Sequence, residues 1–113
     1  MIKIYHNNRC SKSREGKQII EDSGKDFEVV EYMKAPMSKN DLESIIQKLR
    51  IRPLDLVRKK EKAWKENFEG QDLTDDEIIQ AMIEHPALME RPIVINGRKA
   101  VVGRPPVLIK DIL

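Results

Sequence analysis

The sequence contains a single cysteine, Cys10, and this scarcity excludes several kinds of protein. One cysteine cannot form an intramolecular disulfide, and it cannot build a structural zinc site from several thiolates. We therefore expect no metal site. In a reducing compartment a lone cysteine is either a small buried apolar side chain or a reactive thiol. The residues around Cys10 decide between the two.

Long apolar runs and an excess of one charge are also missing. No run approaches the ~18 apolar residues of a membrane helix, and 21 basic residues face 19 acidic ones. Because the charges nearly balance, the sequence has no overall excess of positive charge of the kind that binds nucleic acid. The first five residues alternate as in a strand, unlike the charged and then apolar regions of a secretory signal. We expect a cytoplasmic protein that binds neither membranes nor nucleic acid.

The first third of the chain is predicted to be a strand, a helix and a second strand. In chain order these elements are residues 1–5, 11–23 and 27–32, and Gly24 is the expected left-handed stop of the helix. Gly16, inside the helix, is expected to cost ~1 kcal/mol relative to alanine. Strand, helix and strand form the βαβ unit of an α/β domain, whose two strands pair in parallel.

The middle of the chain is predicted to be helical. Ser38 with Asp41 and Thr74 with Glu77 are capping boxes, and each precedes apolar residues at helical spacing. Trp64 lies between these two helices in a charged stretch, and we expect it to cover the core from a loop.

A hairpin is predicted near the end of the sequence. Residues 92–95 and 99–102 are its strands, and Asn96-Gly97 is the expected turn, because this dipeptide is favoured in two-residue hairpin loops. The prolines at 105–106 can begin a last helix.

The predicted order is therefore βαβ, a helical insertion over about residues 38–86, and ββα. Periodicity alone leaves several α/β folds open. Cys10 lies at the first strand-to-helix junction, where the thioredoxin fold keeps its active site. We predict the α/β class: a thioredoxin-like fold with a four-stranded mixed sheet and an inserted helical segment, as a single domain over residues 1–113.

Cys10 stands where a thiolate is stabilised. A free cysteine has a pKa of ~8.5 and is mostly protonated at neutral pH. At a helix N-terminus, unpaired backbone N–H groups and the helix dipole favour the anion. Backbone donors from Ser11 to Ser13 follow Cys10, and His6 and Arg9 precede it in a polar loop. We therefore predict Cys10 as the nucleophile and these neighbours as its stabilising groups.

The third residue after Cys10 is Ser13. In dithiol oxidoreductases that position holds the resolving cysteine, so this chain cannot close its own disulfide. An oxidised or adducted Cys10 must be resolved by an outside thiol, such as glutathione or a glutaredoxin.

Three arginines lie next to a predicted helix or a proline. Arg58 follows a short helix, Arg91 precedes Pro92, and Arg104 precedes another proline. Pro92 begins the hairpin where thioredoxin folds carry a cis-proline that faces the active-site loop. Guanidinium groups bind tetrahedral oxyanions through two parallel hydrogen bonds and also stabilise a thiolate.

Five segments, taken together and in order, resemble the glutaredoxin-coupled arsenate reductase family, which is ArsC-like and related to Spx-type proteins. The segments are Tyr5-His6-Asn7-Asn8-Arg9-Cys10-Ser11-Lys12-Ser13-Arg14, Leu56-Val57-Arg58-Lys59, Glu84-His85-Pro86, Glu90-Arg91-Pro92-Ile93-Val94-Ile95 and Gly103-Arg104-Pro105. The likeness spans nearly the whole chain. One departure is Asn8, which stands where the family usually has proline.

The resemblance implies a mechanism without a tightly bound cofactor. The family's cysteine attacks arsenate, glutathione displaces an arsenate oxygen as co-substrate, and glutaredoxin releases arsenite. Carried over, Cys10 is the nucleophile, and the oxyanion-binding triad is Arg58, Arg91 and Arg104. His6 matches the family histidine that helps to lower the thiol pKa.

Two other functions stay open. One is an Spx-type redox-responsive transcriptional regulator of the same fold, although such proteins carry Cys-x-x-Cys where this chain has Cys10 and Ser13. The other is a glutathione-dependent thiol reductase with a different substrate, which would use the same Cys10.

Overall fold

The computed structural model describes residues 1–35 and 37–113. The strands are β1 (Ile2–Tyr5), β2 (Phe27–Val30), β3 (Ile93–Asn96) and β4 (Lys99–Val102), and the α-helices are α1 (Ser11–Asp22), α2 (Lys39–Leu49), α3 (Lys62–Asn67) and α4 (Asp75–Glu84). Short 3-10 helices lie at Pro53–Leu56, Pro86–Leu88 and Pro106–Ile112. Across these described ranges, no helix is both long enough and apolar enough to span a membrane.

The chain forms two compact units. The first joins Met1–Ala35 to Arg91–Leu113, and the second is Pro36–Glu90. The predicted helical insertion, about residues 38–86, falls inside the second unit. That the whole chain acts as one domain stays a prediction.

A four-stranded sheet lies in the first unit, with strand order β2-β1-β3-β4. β1 pairs in parallel with β2, and β3 is antiparallel to both of its neighbours. This mixed sheet, with α1 between its parallel strands, confirms the predicted α/β class and thioredoxin-like order. β2 is shorter than predicted because its pairing with β1 ends at Val30.

The core of the first unit lies between the sheet and the helices that cover it. Its central members are five buried aliphatic side chains: Ile2, Ile4, Ile20, Val94 and Ile109. Alternating residues of β1 point into this core, as the period of a half-buried strand requires.

Gly16 has a role that helix propensity does not describe. A Cβ atom there would lie 2.8 Å from Ile109 Cδ1 and 2.8 Å from Pro92 Cγ. Gly103 packs on the same two side chains, at 2.8 Å from Ile109 and 3.0 Å from Pro92. Gly16 therefore lets α1 approach Pro92 and the C-terminal 3-10 helix closely, and this packing accompanies its expected cost in helix propensity.

The helices of the second unit bury apolar faces against one another. Thr74 and Glu77 form both bonds of the predicted capping box. Ser38 accepts the backbone N–H of Asp41 at 3.1 Å, but the reciprocal bond of a capping box is not present among the described residues. Trp64 is buried on α3, so the prediction that it lies in a loop was wrong.

The hairpin forms as predicted, but its loop is shifted by one residue. Asn96 pairs with Lys99, so the loop residues are Gly97 and Arg98 rather than Asn96 and Gly97. Gly97 has φ +62°, and a glycine with positive φ at the first loop position is typical of a type II′ turn. Asn96 is then free to donate from Nδ2 to the carbonyl of Ile112 at 2.7 Å.

Candidate active site

Strand register brings Arg91 to the loop that leads into α1. Tyr5 of β1 lies opposite Ile93 of β3, and continuing that register by two residues sets Asn7 opposite Arg91. The Arg91–Pro92 peptide is cis, as expected for the proline that faces this loop. Residues 84 positions apart in sequence are thus neighbours at one end of the sheet.

The same end of the hairpin also brings Arg104 next to Arg91. Ile93 pairs with Val102, and the backbone N–H of Gly103 donates to the Pro92 carbonyl at 2.8 Å. Arg104 Nη1 donates to the carbonyl of Arg91 at 3.1 Å. Two of the three predicted oxyanion-binding arginines therefore meet through the register of β3 and β4.

The loop before Cys10 is shaped by its own polar groups. Asn7 Oδ1 accepts the backbone N–H of Arg9 at 3.0 Å, which is the local bond that Asx turns use. The Asn7 carbonyl accepts the N–H of Cys10 at 3.0 Å, and Arg14 Nη1 donates to the Asn8 carbonyl at 2.9 Å. Asn7 and Arg14 had no predicted role, although asparagine is a residue type whose side chain often binds the backbone N–H two residues later in a turn.

Cys10 is the N-cap of α1, with φ −96° and ψ 124°. Partial burial of the thiol opposes ionisation and is the largest single influence on its pKa. The backbone N–H of Ser13, the Arg91 guanidinium and the backbone N–H of Lys12 all oppose it, and together they lower the Cys10 pKa below its ordinary value. Anion stabilisation at the helix start, with one cation beside it, favours the thiolate form of Cys10.

His6 is buried and contacts Ser13 rather than supplying a charge. Burial is the main cause of its lowered pKa, with a smaller contribution from the Lys17 charge, so the imidazole is neutral near pH 7. Nδ1 lies 2.7 Å from Ser13 Oγ, which also accepts the backbone N–H of Asn7 at 3.0 Å. His6 thereby holds Ser13, whose backbone N–H faces the Cys10 sulfur.

The other predicted groups of the loop lie further out. Arg9 and Ser11 are exposed, and neither is among the groups that move the Cys10 pKa most. Pro92 is buried against Gly16. That Arg9 and Ser11 stabilise the thiolate stays a prediction.

Arg58 belongs to the second unit. Its backbone N–H donates to the carbonyl of Leu88 at 2.7 Å, and its side chain is 24% exposed. The guanidinium lies 3.9 Å from a Glu61 carboxylate oxygen and 4.0 Å from one of Glu90. That it joins the other two arginines in binding an oxyanion stays a prediction.

Within residues 1–35 and 37–113, no group of three or more histidine, cysteine, aspartate or glutamate side chains is arranged to hold a metal ion. The chemistry that this arrangement supports is nucleophilic attack by a sulfur anion next to cationic hydrogen-bond donors.

The chain is similar to known proteins over nearly its whole length. The model of the ArsC family matches residues 5–112. An arsenate reductase of Haemophilus influenzae is 44% identical over 112 residues, covering 97% of this chain and 97% of the relative. An uncharacterised protein of Escherichia coli strain K12 is 41% identical over 114 residues, covering 99% and 96%. The solved structure of an arsenate reductase from Vibrio cholerae superposes with a TM-score of 0.94 at 39% identity, covering 99% of this chain and 97% of that one.

Proposed function

Because the chain belongs to the ArsC family, we propose that it reduces arsenate to arsenite with Cys10 as the nucleophile. The observation that carries the proposal is the setting of Cys10: two backbone N–H groups and the Arg91 guanidinium favour its thiolate. Relatives of nearly the same length that are named arsenate reductases support the choice of oxyanion.

In the first step the Cys10 thiolate forms a bond to pentavalent arsenic and an arsenic–oxygen bond breaks. The leaving oxygen takes up protons and departs as water, and arsenic is not yet reduced. Arg91 and Arg104, which lie together at the end of the hairpin, suit this step because guanidinium groups bind tetrahedral oxyanions bidentately. Arg58 is proposed as the third oxyanion-binding residue on the resemblance alone.

The electrons come from outside thiols, because Ser13 replaces a resolving cysteine. Glutathione forms a second sulfur–arsenic bond, and another oxygen leaves as water. A glutaredoxin thiolate then attacks the glutathione sulfur and a disulfide forms. The electron pair of the broken sulfur–arsenic bond passes to arsenic, which becomes trivalent, and water releases arsenite from Cys10. The proposal includes a cytoplasmic location, because reduced thiols are maintained there.

The burial of Ser13 disfavours the alternative of an Spx-type switch. Its hydroxyl lies between His6 Nδ1 and the Asn7 N–H, so this position serves the Cys10 loop rather than redox pairing. A glutathione-dependent reductase with another substrate would use the same groups around Cys10, and only a substrate assay separates it from the proposed activity.

The deciding experiment follows NADPH oxidation in a mixture of arsenate, glutathione, glutaredoxin and glutathione reductase. Arsenate-dependent turnover by the wild-type protein, and its loss in Cys10→Ser, is the expected result. Replacing glutaredoxin by thioredoxin and its reductase should give much lower rates. No arsenate dependence with either electron donor would exclude the proposal.

A parallel measurement follows the adduct itself. Glutathione disulfide should add one glutathione to the protein, visible by mass spectrometry, since Cys10 is the only thiol. Glutaredoxin should remove it. A stable adduct that glutaredoxin leaves in place would contradict the proposed electron route.

A further inference from the structure

Asn8 is the residue at which the loop before Cys10 departs from the resembled family, where proline is usual. Proline fixes its own φ angle and has no backbone N–H, so it stiffens a loop covalently. In this chain hydrogen bonds hold the loop at position 8 instead. Arg14 Nη1 donates to the Asn8 carbonyl at 2.9 Å, and this bond fixes the main chain while the Asn8 side chain makes a contact of its own.

The Asn8 side chain contacts His6. Both residues line one polar cavity in the first unit, and a hydrogen bond joins the Asn8 side chain to the imidazole. His6 is only 3% exposed, whereas Asn8 is exposed. A surface amide is thus bonded to a buried ring.

The ring nitrogen left for Asn8 is Nε2. The other nitrogen, Nδ1, lies 2.7 Å from Ser13 Oγ. No other group among residues 1–35 and 37–113 bonds Nε2. Buried polar atoms nearly always have a partner, so the Asn8 amide completes the hydrogen bonding of the His6 ring.

One direction of proton donation satisfies every group in the network of Asn7, Ser13, His6 and Asn8. The backbone N–H of Asn7 donates to Ser13 Oγ at 3.0 Å. If the Ser13 hydroxyl donates to Nδ1, the imidazole proton lies on Nε2 and the Asn8 amide oxygen accepts it, so each donor has an acceptor. In the opposite tautomer Nδ1 donates to Ser13 Oγ, and the hydroxyl proton has no acceptor within the network.

The influence of Asn8 on the pKa of His6 agrees with this direction. Burial is the main cause of the lowered pKa of His6, and the bond from Asn8 is the strongest of the influences that raise it. A partner that raises the pKa of an imidazole accepts its proton, as an amide oxygen does. The charges that act on the ring are Lys17 of α1, which lowers its pKa, and Glu31 after β2, which raises it.

We propose that Asn8 is a positioning residue for Cys10, because its amide oxygen keeps the His6 proton on Nε2 and leaves Nδ1 to accept the Ser13 hydroxyl. Ser13 lies in the first turn of α1, which Cys10 caps. Holding the Ser13 side chain fixes the backbone N–H that faces the sulfur. The inference rests on Cys10 as the nucleophile of the proposed function, but not on arsenate as its substrate.

The tautomer of His6 can be read directly by NMR. The protonated and the bare nitrogen of a neutral imidazole differ widely in nitrogen chemical shift. Because the chain has two histidines, His85→Gln identifies the signals of His6. Spectra are recorded above pH 7, where His6 is neutral, and the apparent pKa of Cys10 is measured on the same proteins from alkylation rates against pH.

Three variants at position 8 separate the hydrogen bond from the loop. Asn8→Leu keeps a similar side-chain volume without an acceptor, and Asn8→Pro introduces the residue that is usual in the family. Asn8→Asp keeps an acceptor oxygen, so it should restore the tautomer. Gln18→Met is the matched control, because it removes an exposed amide of α1 that bonds Asp22 rather than His6.

The wild type, Asn8→Asp and Gln18→Met should carry the His6 proton on Nε2. Asn8→Leu and Asn8→Pro should lose this preference and show both tautomers. In these two variants the apparent pKa of Cys10 should rise by about half a pH unit, because the lost hydrogen bond acts on the thiolate only through Ser13. Gln18→Met should keep the wild-type pKa of Cys10.

A wild-type proton on Nδ1 would overturn the inference, and so would wild-type spectra in both Asn8→Leu and Asn8→Pro. An unchanged Cys10 pKa in these two variants, despite a changed tautomer, would also overturn it. Urea unfolding completes the test, since lower stability with the wild-type tautomer would show that Asn8 has a structural role alone. No measurement here uses arsenate, so the result stands or falls separately from the arsenate assay.

Discussion

The Arg91 guanidinium is one of the groups that lower the pKa of the Cys10 thiol, although the two residues belong to different ends of the chain. We expect the rate of Cys10 alkylation against pH to show an apparent pKa below the ~8.5 of free cysteine. Arg91→Gln should raise that pKa, because it removes the adjacent cation. Arg98→Gln, in the exposed hairpin loop, is the control. A wild-type value at or above ~8.5 would contradict a stabilised thiolate.

His6 should make stability depend on pH. Burial lowers its pKa in the folded protein below the ordinary 6.5, so between these two values the unfolded chain binds more protons. The free energy of unfolding must then fall as pH drops through this window. Urea unfolding at pH 7, 6 and 5 measures this loss, which should be smaller in His6→Gln. The same series on His85→Gln, which removes the other histidine, is the comparison, and an unchanged loss in His6→Gln would count against this account.

The substitution Gly16→Ala tests whether helix propensity or packing dominates at this position, because the two predict opposite changes in the free energy of unfolding. Propensity predicts that alanine stabilises α1 by ~1 kcal/mol. The new Cβ would stand 2.8 Å from Pro92 and from Ile109, and neither a proline ring nor a fully buried isoleucine yields easily. We expect a net loss of about 1–3 kcal/mol in the free energy of unfolding, typical of overpacking. Glu15→Ala, exposed on the same helix, should change stability by less than ~0.5 kcal/mol, and a more stable Gly16→Ala protein would show that the contact is relaxed.

The oxyanion assignment predicts large kinetic effects at the three arginines. A hydrogen bond to a charged group contributes roughly 1.5–3 kcal/mol, so alanine at Arg58, Arg91 or Arg104 should lower kcat/KM for arsenate about ten- to a hundredfold. Lysine should restore only part of the loss, since it keeps the charge without the planar fork. Arg98→Ala should keep wild-type kinetics. Normal arsenate kinetics in all three alanine variants would show that the oxyanion binds elsewhere.

Local signals in the sequence were sufficient for most of the secondary structure. Gly24 adopts φ +75° at the end of α1, and Thr74 with Glu77 begins α4, because caps and left-handed stops depend on residues a few positions apart. The hairpin loop was misplaced by one residue. Asn96 and Gly97 suit the turn locally, but the pairing of β3 with β4 sets the loop at Gly97 and Arg98.

The sequence by itself determined the position of Cys10 at the start of a helix and that no second cysteine can pair with it, since both follow from neighbouring residues and from a count of cysteines. Only the tertiary structure decided that Arg91 lowers the pKa of Cys10, that His6 contacts Ser13, and that Gly16 packs on Pro92 and Ile109. The physical reason is that helical periodicity and capping are local. Strand register and the packing of α1 on the hairpin are instead set by contacts between residues far apart in the chain.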